Sequence, residues 1–271
     1  MNFIETHAGR QRRGLLWSTA QEVCDLLSIG KSLTKGSEQM LFQHVQIKAG
    51  QRFCRIGKEC HALYVVKSGF LKTVMVDELG NEQVLSFPMK GDLLGLDGID
   101  SCEYTSEAVT LSDCDLILLP LTKLASFSDL QCEAENSLYR LMSRELVRRQ
   151  VIIGKLGSLS AEARVARFLI ELSGRFLAMG YSSRLFNLRM TRHDIGSYLG
   201  LTLETVSRTL SAFNEIGLIS VDQRCVGIND PEALKNLRRL PPSRSRLRRT
   251  AADYIVQIAG SPVSGSALRC K

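Results

Sequence analysis

Residues 190–217 read MTRHDIGSYLGLTLETVSRTLSAFNEIG, and this run decides the fold of the C-terminal half. Thr191 is placed to cap a helix, with Asp194 three residues on in capping-box spacing. Ile195 and Leu199 give that helix one apolar stripe, and Gly200 follows where a sharp turn needs a positive φ. Thr202 then caps a second helix, with Val206, Leu210 and Phe213 as its buried face and Gly217 at its end. The side chains left outward near its start are Glu204, Thr205, Ser207 and Arg208. A helix-turn-helix touches base edges with those positions. Arginine suits guanine O6/N7, glutamate accepts from cytosine N4, and serine reaches either kind of partner. The same residues also allow a plainer reading. Glu204 favours the helix dipole, and Arg208 is its i+4 partner. Residues 218–221 and 225–228, with Asp222-Gln223-Arg224 between them, predict a hairpin wing.

Composition allows this reading without carrying it. The chain has 271 residues, room for two modest domains, and is 44% hydrophobic. It has no apolar run long enough to span a membrane and no secretory-type N-terminus, so a cytoplasmic location is expected. The net charge is +7, but residues 236–271 hold eight Arg/Lys against the single acid Asp253. The excess therefore describes a basic tail, expected to be disordered, and the body is formally neutral. The eight cysteines include no CxxC pair. Cys54, Cys60 and His61 form the closest cluster, with a spacing wider than a zinc knuckle, so no metal site is expected.

Upstream, residues 38–127 change to β grammar. Glycines at 50, 57, 69, 80, 91, 95 and 98 separate short apolar runs such as 63–66, 71–76, 84–87, 108–110 and 116–119. That rhythm predicts a β-barrel or jelly roll, with residues 78–81 at a hairpin tip. A polar, basic extension (1–37) with a short helix near 22–27 precedes it. A long helix is expected over 128–157. Tyr139, Met142, Leu146, Arg149, Ile153 and Leu156 follow a heptad seam that Arg149 alone interrupts, which suits a homodimer. The alternative is a helix packed on its own β-roll. Gly154 and Gly157 mark a hinge, and residues 158–235 complete the winged helix-turn-helix. The fold class is α+β: a jelly-roll domain of cyclic-nucleotide-binding type, a dimerisation helix and a winged helix-turn-helix.

The helix-turn-helix resembles that of the Crp/Fnr family of bacterial transcription regulators, and Glu204-x-x-Ser207-Arg208 is similar to the reading motif of its Fnr branch. Leu203 stands where the cyclic-AMP receptor branch places arginine. KAGQRFCRIG, VVKSGFLK and GDLLGL resemble the family's β-roll. The resemblance implies a sequence-specific regulator bound as a homodimer to a palindrome of the type TTGAT-N4-ATCAA, with activator the working expectation and repressor left open. Its DNA contacts would come from Thr191, Thr202, Thr205, Glu204, Ser207 and Arg208. It also implies an RNA polymerase contact through β-roll loops. Asp77, Glu78, Gly80, Asn81 and Glu82 are the candidates there, with Lys67-Ser68 as another.

The family's two known inputs look unserved. A cyclic-nucleotide cradle follows a GE-x-(G/A) turn and carries an Arg-Ser or Arg-Thr pair. This chain reads Gly95-Leu96-Asp97-Gly98 and Tyr104-Thr105, lacking both charged groups. An iron–sulfur cluster of the Fnr kind needs four thiolates, three of them close together near the N-terminus. Cys114 suits the β-roll position, but only Cys24 precedes Cys54. No cofactor is therefore expected, and the open alternative is a cysteine or iron–sulfur input to a β-roll redox module. An enzyme regulatory subunit could use the same β-roll, though it has no use for an exposed Glu204/Arg208 pair. The four histidines are dispersed, with no nucleophile–base motif, so the chain is not expected to be an enzyme.

Overall fold

The computed structural model describes residues 16–29, 40–123 and 133–237. The start of the long-helix segment (128–132) and the basic tail beyond 237 lie outside the described residues. The N-terminal domain is a β-roll of two facing antiparallel sheets. One has the order β1 (Trp17–Thr19), β2 (Leu41–Ile47), β9 (Cys114–Pro120), β4 (Ala62–Ser68), β7 (Leu93–Leu94). The other runs β3 (Arg52–Phe53), β8 (Glu107–Thr110), β5 (Leu71–Val76), β6 (Glu82–Ser86). Alternation fixes the registers. Leu63, Val65, Ile117 and Leu119 face one cluster with Phe42, while Val66, Leu71 and Leu116 face a second. α1 (Ala20–Leu26) closes one end, with Thr19 and Glu22 in a complete capping box.

α2 spans Glu133–Ser158 without interruption. The hinge expected at Gly154 and Gly157 is not there: the helix runs through both, and the chain breaks at Leu159–Ser160, where Ser160 caps α3 (Ala161–Ala178). Two glycines cost a helix about 2 kcal/mol against alanine, which neighbouring turns absorb. α2 has two faces. Leu141 packs on the β-roll, Arg144 donates to Leu27 O at 2.9 Å, and Arg148 pairs with Asp92 at 3.0 Å. The opposite side exposes Tyr139 (62%), Met142 (41%), Leu146 (59%) and Ile153 (69%).

The C-terminal domain comprises α3, β10 (Leu185–Asn187), α4 (Arg192–Leu199), α5 (Leu203–Glu215), β11 (Ile219–Asp222), β12 (Cys225–Ile228) and α6 (Pro231–Asn236). β10, β12 and β11 form a three-stranded wing, so the predicted hairpin carries one more strand. Val165, Leu169, Ile195, Leu199, Val206, Leu210 and Phe213 share its core. That core does not stop at the domain boundary. Val74, Val84, Phe87 and Met89 of the β-roll belong to it. No helix among the described residues is long and apolar enough to cross a membrane.

Candidate nucleic-acid interface

The turn between α4 and α5 follows from residues between Thr191 and Thr202. Thr191 accepts from Asp194 N, and Asp194 receives Thr191 N–H at 2.9 Å, closing the capping box. Gly200 takes φ 62°, and Leu201 N returns to Gly196 O at 2.9 Å. Gly196 sits so close under the turn that a Cβ there would lie 2.6 Å from Leu201 O. Thr202 caps α5 by accepting from Thr205 N at 3.2 Å.

α5 buries Val206, Thr209, Leu210 and Phe213 and leaves its first turns open. Glu204 and Arg208 are exposed, while Thr205 and Ser207 are half-exposed beside them. Arg208 donates to the Thr205 hydroxyl at 3.5 Å. Glu204 is held below the usual carboxylate range by its own backbone N–H, by the Thr202 hydroxyl and by the Arg208 charge. The surface therefore presents one carboxylate, three hydroxyls and a guanidinium within two turns. Thr191 is exposed at the start of α4, and Arg192 donates to Gln223 O at the wing tip at 3.1 Å.

A second feature was not legible in the sequence. α4 docks on the β-roll hairpin of its own chain. Lys72 of β5 reaches Asp194 at 2.7 Å, with side chains 16% and 6% exposed. Burial alone would raise the Asp194 carboxyl, but hydrogen bonds from Lys72 and Thr191 hold it below its ordinary value. Ser197 receives Val84 N at 2.8 Å and donates to Glu82 O at 3.3 Å, and Gln83 donates to Ser197 O. Phe87 packs on Tyr198 with centroids 5.1 Å apart. Arg175 of α3 pairs with Asp92, the same carboxylate that Arg148 of α2 holds. The capping spacing pointed to Asp194, but nothing local points to a partner 122 residues away.

The β-roll bears a cavity of about 60 Å³ at its junction with α2, α3 and α4, lined in part by Cys54, Asp97, Ser106, Arg148, Arg175 and Tyr198. Beside it, Asp97 accepts from Thr105 N, the Thr105 hydroxyl and the Ser106 hydroxyl at 3.2, 2.8 and 2.8 Å. Polar donors of the kind that would hold a phosphate are thus turned onto the chain's own carboxylate. Tyr104, which stands where the family's cradle carries an anion-binding arginine, instead donates to Ala62 O at 2.7 Å.

Six of the cysteines lie among the described residues, and there no group of three or more His, Cys, Asp or Glu is placed to hold a metal. Cys24 sits on α1, and Cys114 is buried on β9, donating to Ser112 O and Phe70 O. Burial pushes both thiols up, and among the described residues no set of metal-ligating side chains gathers around either, so these residues do not make up a cluster site. Ser18, His44 and Asp115 are joined in series, Oγ to Nε2 at 2.8 Å and Nδ1 to carboxylate at 3.1 Å. Ser18 is 0% exposed, so this arrangement fastens β1 to β2 and β9 rather than meeting a substrate.

The seam residues divide. Tyr139, Met142, Leu146 and Ile153 share the open side of α2. Leu156 instead turns toward Arg164, Phe168 and Leu199 of the winged domain. Arg149 is exposed and pairs with Glu145 at 3.4 Å within its own helix. At the β5–β6 tip, Asp77 accepts from Leu79 N at 2.9 Å and Asn81 N at 2.8 Å, and Gly80 takes φ 82°. Asp77, Glu78, Gly80 and Asn81 are exposed, while Glu82 is drawn into an ion pair with Arg52.

A jelly-roll domain joined by a long helix to a winged helix-turn-helix with an open reading face defines a class, the DNA-binding transcription regulators with a β-roll sensor domain. Residues 163–237 match the Crp-like helix-turn-helix domain, and residues 44–129 match the cyclic nucleotide-binding domain. The transcriptional regulatory protein btr of Bordetella pertussis is 36% identical over 215 residues, covering 79% of this chain and 89% of that one. The fumarate and nitrate reduction regulatory protein of Escherichia coli K12 is 38% identical over 191 residues, covering 70% and 76%. FixK2 from Bradyrhizobium japonicum superposes with a TM-score of 0.68 at 25% identity, covering 74% of this chain and all of that one. The chain belongs to the Crp/Fnr family of transcription regulators, and its relatives there are regulators rather than enzymes.

Proposed function

We propose that this regulator is a cytoplasmic homodimer that reads a palindrome of the type TTGAT-N4-ATCAA and contacts RNA polymerase through the β5–β6 tip. The observation that carries the reading is the first two turns of α5. They hold Glu204, Thr205, Ser207 and Arg208 outward on a helix whose other face is locked into the core. Arg208 is the bidentate guanine reader. Glu204 accepts from a cytosine and braces Arg208, and Ser207 completes the base contacts. Thr191, Thr202 and Thr205 lie where helix starts meet phosphates, which set register rather than sequence. Pairing through the open face of α2 would cover Tyr139, Met142, Leu146 and Ile153 and bring two α5 helices one DNA turn apart. Arg149 and Leu156 border that face. The exposed Asp77, Glu78, Gly80 and Asn81, with Glu82 at their base, make up the polymerase contact. No cofactor is assigned to the β-roll.

The test is a gel shift in air, without added iron, using the intact palindrome, a one-half-site duplex and a scrambled duplex. The proposal predicts a shift of the palindrome well below the protein concentration needed for the other two. Equal affinity for palindrome and scrambled DNA would overturn the specificity. A shift that requires iron–sulfur reconstitution would overturn the cofactor-free reading.

A further inference from the structure

Two cysteines occupy opposed positions across an irregular ladder at the edge of the β-roll. Glu59 and Glu103 form an antiparallel bridge, flanked by Cys60 N donating to Cys102 O at 2.8 Å and Tyr104 N donating to Lys58 O at 2.9 Å. Cys60 and Cys102 are therefore directly opposed. The Cys60 N–Cys102 O bond keeps their α-carbons inside the span of about 4.4–6.8 Å that a disulfide bridges, and Cys102, at φ 58°, has to turn its sulfur toward Cys60 for the bond to form. Their environments differ. Cys102 is exposed. Cys60 is 4% exposed, with its sulfur 3.7 Å from Gly95 O and packed against Gly98, where a Cβ would come within 2.8 Å of it. Cys54 is half-buried, and burial pushes its thiol up.

We infer that Cys102 and Cys60 are a dithiol that a hydroperoxide converts to a disulfide. The exposed Cys102 sulfur attacks the peroxide. The O–O bond breaks, one oxygen passes to sulfur, and the alcohol or water leaves, giving a sulfenic acid. The opposed Cys60 sulfur then attacks the Cys102 sulfur. The S–O bond breaks as the S–S bond forms, and the hydroxyl leaves with the Cys60 proton as water. The pair is oxidised by two electrons and the peroxide is reduced by two. Burial pushes the Cys60 thiol up, so Cys60 resolves the sulfenic acid and does not start the reaction. The bond ties the segment from Gly98 to Cys102 onto the start of β4, beside the cavity that Cys54 and Asp97 line.

The full-length protein is reduced, freed of reductant, treated with hydrogen peroxide and alkylated, and its peptides are mapped without reduction. The expected product is one cross-linked species containing Cys60 and Cys102, reversed by dithiothreitol. Cys102→Ser, at an exposed position, should abolish it and leave Cys60 alkylatable after denaturation. Cys60→Ala should stop Cys102 at a sulfenic acid that dimedone traps. Oxidation of Cys102 without a cross-link in the wild type would overturn the inference. So would a Cys54–Cys60 cross-link, or a Cys102 cross-link to another thiol. Because the readout is covalent, it stands or fails independently of DNA binding.

Discussion

Breaking the Lys72–Asp194 pair should undock the reading domain from the β-roll at a measurable cost. At an effective dielectric of about 20, unit charges 2.7 Å apart attract by about 6 kcal/mol before desolvation is subtracted. Removing one partner of a buried pair typically costs about 3–5 kcal/mol. Two features place this pair at or below the lower end of that range. Asp194 keeps the Thr191 N–H and hydroxyl as donors after Lys72 is lost, and Lys72 has a second carboxylate, Glu82, at 3.8 Å when Asp194 is neutralised. Lys72→Met is therefore expected to cost about 2–3 kcal/mol, with about 2 kcal/mol of coupling to Asp194→Asn in a double-mutant cycle.

The assay is urea unfolding by far-ultraviolet circular dichroism, with all four proteins at one concentration so that any dimer contributes equally. The pH dependence has a fixed sign. The Asp194 carboxyl is held below its ordinary value by Lys72 and Thr191 in spite of burial. Its contribution is therefore present above the unfolded carboxylate pKa and is lost as pH falls through the folded value. The coupling should persist from neutral pH to about pH 4 and fade below that. Coupling under about 0.5 kcal/mol at pH 7, the size of an exposed ion pair, would refute the claim that this contact docks the domains.

Arg208→Ala should cost about 1–3 kcal/mol on the palindrome and relax preference at one base pair per half-site. Equal loss on random DNA would make Arg208 a phosphate contact. Gly196→Ala puts a methyl 2.6 Å from Leu201 O, and overpacking of about 1–3 kcal/mol should outweigh the helix gain of about 1 kcal/mol and lower Tm. A raised Tm would show that the turn yields freely. Arg149→Leu should tighten the dimer in sedimentation across micromolar dilution, because it removes a like charge beside the seam. Easier dissociation would mean that Arg149 makes a favourable contact across it.

The helix-turn-helix was legible because its signals are local. Thr191, Asp194, Gly200 and Thr202 act through backbone atoms within four residues, and Val206, Leu210 and Phe213 repeat at helical spacing. The strands were legible from the same kind of evidence, glycine punctuation around apolar runs. What joins the domains was not. Lys72 reads as an ordinary charged residue between apolar neighbours on β5, and Asp92 as a turn acid after Gly91, yet Lys72 meets Asp194, and Asp92 gathers Arg148 and Arg175. Such pairs depend on how two finished domains approach, and no spacing rule encodes that. The glycine hinge failed for a related reason. Glycine permits a break but does not require one, and the actual break follows the Ser160 cap.

These contacts also tie α5, the helix proposed to read DNA, to the β-roll. α5 makes its base-facing geometry through α4, since the Gly196–Leu201 turn and the shared Ile195, Leu199 and Val206 core leave the two helices little relative freedom. α4 in turn is fixed to β5 and β6 by Lys72, Val84 and Gln83, and to Phe87 by Tyr198. Arg148 and Arg175 bring α2 and α3 to the same turn through Asp92. A shift of α2 against the β-roll must therefore either break the half-buried Arg148–Asp92 pair or drag the Asp92 turn, and with it the Arg175 contact of α3. Packed elements joined this way change arrangement in discrete steps rather than by gradual bending. The Asp92 carboxylate, held by one arginine from α2 and another from α3, ties the long helix and the winged domain to one turn of the β-roll.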